Sequence, residues 1–136
     1  MTRTRNFASI LLIGALFFTR DARAQTPQSG SKVEGVWRGT SLCLVQPSAC
    51  HDETVVYHIA RMNSADSVSI DANKIVDGRE ENMGTLTCHF AAPSAQLTCK
   101  FPRGVWLFTV RGDSLIGELK LPDNTKFRDV RAARSR

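Results

Sequence analysis

Cys50-His51-Asp52-Glu53, with His58 following shortly after, is the densest run of chemically capable side chains in this 136-residue sequence. Imidazole nitrogens and carboxylate oxygens are the ligands of zinc and other divalent ions, so the run reads first as a candidate metal centre. Alternation argues against that. If the run opens a β-strand, neighbouring side chains leave on opposite faces, and His51 and His58, an odd interval apart, do the same. A solvated strand start is the expectation, and no metal or other cofactor is assigned. His89 lies between Cys88 and Phe90 and is expected to point away from any core those two define. Asp77, Glu80 and Glu81 are acidic neighbours around a turn. A catalytic carboxylate pair needs a cleft and a raised pKa on one member, and a solvated turn supplies neither. No Gly-x-Ser-x-Gly turn occurs, so no activated serine is identified. No catalytic residue is assigned, and the chain is expected not to be an enzyme.

The four cysteines offer a different chemistry. Cys43, Cys50, Cys88 and Cys99 contain no C-x-x-C pair, and four cysteines allow three disulfide pairings. The sequence-local pairing is expected: Cys43 with Cys50 across a loop containing Pro47, and Cys88 with Cys99 across a hairpin. The hairpin carries the clearest pattern in the chain. Leu86, Cys88 and Phe90 mirror Leu97, Cys99 and Phe101 across the Pro93-Ser94 pair. Period two then puts all six on one face, with the two sulfurs directly opposed. No thiol is left over as a nucleophile.

Disulfides call for an oxidising compartment, and the N-terminus supplies a route to one. Residues 1–24 read as a signal peptide: Arg3 and Arg5, an apolar run from Phe7 to Phe18, then Ala22-Arg23-Ala24 as a small-x-small cleavage site. The apolar run is shorter than the roughly twenty residues a spanning helix needs. The expected location is therefore periplasmic or secreted, with no membrane span. The whole chain has 18 basic and 13 acidic residues. Removing the leader's four arginines and one aspartate leaves 14 basic against 12 acidic, a net charge of +2. No basic stripe interleaved with aromatics supports nucleic-acid binding.

These residues must be positioned by strands. Residues 25–32 are polar and rich in turn formers, and read as a flexible arm. Predicted strands follow over 33–44, 53–62, 66–75, 82–91, 95–101, 104–111, 114–121 and 125–132, with a basic tail over 133–136. The separators include Asp77-Gly78, Pro93-Ser94, Pro102-Arg103-Gly104, Gly112-Asp113 and Pro122-Asp123-Asn124. Eight short strands with short connections predict an all-β, antiparallel up-and-down meander. Closure into a barrel would remove its exposed edges. Leu115, Gly117, Leu119 and Leu121 are assigned inward against Ile116, Glu118 and Lys120. The strands over 53–62 and 104–111 are apolar on both faces, and period alone does not orient them. Tyr57, Trp106 and Phe108 are the candidate ligand-lining aromatics; the alternative places Trp106 and Phe108 in an exposed patch on the outer wall that contacts a partner.

Gly35-Val36-Trp37 on the first strand and Arg128 in Lys126-Phe127-Arg128 on the last resemble the calycin superfamily, the lipocalins and their short relatives. The resemblance is topological and covers all eight strands. It implies a lipocalin-like eight-stranded barrel with Gly35, Trp37 and Arg128 as a floor motif, Arg128 capping the Trp37 ring through a cation–π contact. The chain departs from lipocalins in being shorter, in lacking a C-terminal helix and in its cysteine placement. The function expected from these readings is non-catalytic binding of a small, partly apolar ligand by a monomer. The alternatives are a barrel-type inhibitor of a secreted hydrolase, acting on a secreted protein partner, or a structural envelope module.

Overall fold

The computed structural model describes residues 33–64 and 66–136. The signal peptide over 1–24 and the arm over 25–32 lie outside the described residues. Eight strands follow one another: β1 (Gly35–Cys43), β2 (Glu53–Arg61), β3 (Ser67–Val76), β4 (Arg79–Ala91), β5 (Gln96–Phe101), β6 (Gly104–Arg111), β7 (Ser114–Lys120) and β8 (Lys126–Arg134). Each pairs antiparallel with its sequence neighbour, and β8 returns to pair with β1, closing an up-and-down barrel. The all-β meander is as the alternation and turn spacing imply.

The turn chemistry sets the strand limits. Asp77 and Gly78 both have positive φ, 49° and 76°, the backbone a two-residue hairpin turn needs to match the strand twist. That tight turn pairs Val76 with Arg79, so β4 begins three residues before the predicted start at 82. Between β4 and β5 a short 3-10 turn over Ala92–Ser94 ends on Ala95 in the left-handed region. The mirrored register holds there: Phe90 faces Leu97, and Cys88 is bonded to Cys99. Cys43 is bonded to Cys50, closing the loop between β1 and β2.

The inward faces follow period two around the barrel. Trp37, Val55, Tyr57, Ile59, Val68, Ile70, Cys88, Phe90, Leu97, Cys99, Phe108, Val110, Leu115 and Val130 form one buried cluster. In β6, Phe108 and Val110 are buried, while Leu107 and Thr109 lie on the other face. Ile116 on β7 is 41% exposed, and Leu115 beside it is fully buried. Val55, Tyr57 and Ile59 take the inside of β2, and yet Val56 on its outer face is also fully buried. This double burial is why the period of β2 carried no orientation.

Two expectations about the last strand are corrected. β8 runs to Arg134 rather than stopping at 132, so 133–136 is not simply a basic tail. The Arg134 amide donates to the Asp113 carbonyl at 2.9 Å, and the Ser135 amide to the Val36 carbonyl at 2.8 Å. The residue stacked on Trp37 is Arg134, not Arg128: its Cζ lies 4.2 Å from the ring centroid. The β1–β8 register explains the exchange. Trp37 sits opposite Arg134 and Cys43 opposite Arg128. Both arginines share the inward parity of β8, and six residues of strand hold them about 20 Å apart at opposite ends of the barrel.

The floor is therefore built from Val33, Gly35, Trp37 and Arg134. Val33 is fully buried and its carbonyl accepts the Trp37 indole N–H at 3.0 Å. Arg134 also donates through Nη1 to the Glu34 carbonyl at 2.6 Å and through Nε to Asp113 Oδ1 at 3.1 Å. Gly35 has φ +130°, and a Cβ there would lie 2.8 Å from Arg134 Nη1. A side chain at 35 would be strained and would also crowd the guanidinium off the tryptophan.

Candidate functional site

The opposite end of the barrel opens into a cavity of 440 Å³ lined by Ser41, Glu53, Tyr57, Ala72, Met83, Gly84, Thr85, Leu86, Phe101, Arg103, Trp106 and Arg128. Its apolar wall comes from β4, β5 and β6. Leu86 and Phe101, the outermost pair of the mirrored hairpin, are partly buried here rather than closed into the core. A register shift between Ala72 and Asn73 pairs Ala72 with Gly84 and Asn73 with Asn82, leaving Met83 as the extra residue of β4. Such a bulge bends its strand and redirects side chains, and Met83, 44% exposed, stands at the cavity.

Three aromatics run down from this wall. Trp106 stacks on Phe108 with centroids 5.3 Å apart and planes 12° from parallel, and Tyr57 meets Phe108 edge-on at 5.7 Å. The period of β2 and β6 left the facing of these three aromatics open; in the barrel they pack against one another, and their roles separate. Tyr57 and Trp106 line the cavity. Phe108, 1% exposed, is packed core beneath them and is not a lining residue. Gly117 opposite is what admits its ring: a Cβ there would fall 2.3 Å from Phe108 Cδ1.

The polar part of the site is an ion pair. Arg128 Nη1 lies 3.3 Å from Glu53 Oε2, with the two side chains only 14% and 15% exposed. The same nitrogen donates to Ser41 Oγ at 3.0 Å and to the Ser41 carbonyl at 3.4 Å. Burial pushes the Tyr57 phenol above its usual range; the nearby Arg128 charge opposes this and the Glu53 charge adds to it. The site thus sets an uncharged hydroxyl beside the Arg128–Glu53 pair. A sheltered ion pair adds little to stability over apolar replacements of equal volume, because desolvation offsets the attraction. Its position in a cavity wall is the more informative fact.

Sequence reasoning did not assign Glu53 or Ser41 to this site and placed Arg128 at the wrong end. A signal existed. Glu53 shares parity with Val55, Tyr57 and Ile59, Arg128 with Val130 and Ala132, and Ser41 with Trp37. Once those faces are inward, the three polar residues must project inward at the mouth.

The remaining candidates disperse. His51 is exposed, its Nδ1 3.3 Å from the Ala49 carbonyl. Asp52 accepts the Cys43 amide at 2.8 Å. Among the described residues no group of three or more His, Cys, Asp or Glu is placed to hold a metal ion. His58 points outward, its Nε2 2.7 Å from Glu80 Oε2, which also accepts from Asn73 Nδ2 at 2.7 Å. Those bonds, that of His58 foremost, hold the Glu80 carboxyl below the usual carboxylate range. His89 is exposed with Asp66 Oδ2 3.4 Å away. None of these groups faces the cavity.

By fold and site the chain is a closed eight-stranded up-and-down β-barrel with an amphipathic cavity at one mouth. No protein-family model matches it, and no curated protein matches it significantly. Two disulfides are compatible with an extracytoplasmic protein. Among the described residues no helix is long and apolar enough to cross a membrane.

Proposed function

We propose that the protein is an exported, lipocalin-like barrel that binds one small, partly apolar molecule in its mouth and acts by binding rather than catalysis. The observation that carries this reading is the cavity itself. Its 440 Å³ falls in the usual span of small-molecule sites, and it joins an apolar wall to a few convergent polar groups. An eight-stranded barrel is just wide enough either to be filled by its side chains or to hold one such ligand. Here the floor half is filled by Trp37 and its neighbours and the mouth half is not. The calycin-like part of the reading is supported by Gly35-x-Trp37 beneath an arginine of the last strand, with Arg134 in that place. Export is supported by the leader-like residues 1–24 and by the two disulfides.

Native mass spectrometry of protein purified from its own host, without denaturant or organic solvent, should show one small-molecule adduct per chain. Repeated preparations giving only the bare chain would count against binding.

A further inference from the structure

The way Arg128 is held indicates what kind of molecule the mouth takes. Its polar contacts with described residues converge on one nitrogen: Ser41 Oγ, the Ser41 carbonyl and Glu53 Oε2 all meet Nη1. No described residue accepts from Nε or Nη2. Those two nitrogens form the side-on edge of a guanidinium, whose parallel N–H groups match the two oxygens of a carboxylate. The contacts at Nη1 fix the side chain, so little rotamer freedom is left to lose when the open edge is used. The Tyr57 hydroxyl, kept protonated by burial in the same wall, makes no hydrogen bond to a described residue and is a second neutral donor. Charge decides between anions. The lining carries Arg103 and Arg128 against Glu53 alone, a surplus of one positive charge. That surplus suits a monoanion, whereas a dianion would face Glu53 with a charge uncompensated. Trp106 and Phe101 provide flat apolar surface for the rest of the molecule.

We propose that the Nε–Nη2 edge of Arg128, with the Tyr57 hydroxyl, receives the carboxylate of a small, flat, apolar monocarboxylic acid whose body lies against Trp106 and Phe101. The proposal rests on the binding reading above and narrows it to a ligand class. Glu53 then has a defined part: it neutralises Arg128 in the empty cavity and competes with the incoming carboxylate.

The test is calorimetric titration with 2-naphthoate and its uncharged analogue 2-naphthamide at pH 7.5. The wild-type protein should bind the naphthoate about tenfold or more tightly than the amide, the scale of one charge-assisted hydrogen-bonded contact. Arg128→Gln should erase that preference, bringing the naphthoate affinity down to that of the amide or below it. Glu53→Gln should move the other way, tightening naphthoate binding by about threefold to tenfold. Equal wild-type affinities would overturn the carboxylate assignment while leaving a binding cavity in place. Failure of both probes to bind would count against the cavity reading as well. Should Arg128→Gln fail to fold, Glu53→Gln decides: tighter naphthoate binding supports the proposal, and unchanged or weaker binding overturns it.

Discussion

Trp37→Ala should destabilise the barrel by about 4 kcal/mol, in the range for emptying a large aromatic from a core. Trp37 is fully buried on the floor, with Arg134 stacked on one side and the Val33 carbonyl accepting its indole N–H. Alanine leaves a large void, an orphaned carbonyl and a guanidinium without its ring. Small domains hold only about 5–15 kcal/mol in total, so such a loss would be a substantial share. Trp37→Phe separates the contributions. It keeps most of the bulk and loses the hydrogen bond, and should cost only about 1–2 kcal/mol. Urea unfolding checks both: the midpoints should fall in that order with the slope unchanged. Trp37→Ala with a midpoint near wild type would mean that the floor is not packed as described.

Gly39→Ala should be nearly as costly, at about 3 kcal/mol, although it adds a single methyl group. Replacing a strand glycine ordinarily gains up to about 1 kcal/mol in backbone entropy and propensity. That gain is outweighed here. A Cβ at 39 would sit 1.9 Å from the Arg131 carbonyl oxygen and 2.5 Å from the Ala132 Cα, both backbone atoms of β8. Backbone cannot rotate aside as a side chain can, so the first and last strands must part. Thr40→Ala, one residue along on the exposed face, is the control and should stay within about 0.5 kcal/mol of wild type. Amide hydrogen exchange should show protection lost first at the β1–β8 seam in Gly39→Ala. Retained protection there would argue that closure does not depend on the close approach at Gly39.

What the sequence disclosed depended on how local the determining interaction is. The mirrored run around Cys88 and Cys99 could be read because period two and one turn specify it entirely. The face of β7 could be read because Ile116, Glu118 and Lys120 contrast with Leu115, Gly117 and Leu119. The face of β2 could not, since Val55 and Val56 are both fully buried and their types are identical. The exchange of Arg134 for Arg128 has a longer-range cause. Both have inward parity, and only the pairing of the first strand with the last decides which of them meets Trp37. The ion pair at the mouth was hidden differently. Glu53 was read as part of a Cys-His-Asp-Glu run, whereas its partner Arg128 lies 75 positions away and is adjacent only in a closed barrel. Met83 at the cavity depends on a bulge that no residue type announces.

The central claim, that the mouth is a ligand site, is tested most directly by filling it. Ala72 is a small, partly buried lining residue, and Ala72→Phe would project a phenyl ring into the cavity. Fluorescence titration with the neutral probe N-phenyl-1-naphthylamine should show saturable binding at one site in the wild-type protein. It should show none in Ala72→Phe, with the β-rich circular dichroism spectrum retained. A wild-type protein that does not bind, or an Ala72→Phe protein that binds equally well, would contradict the account.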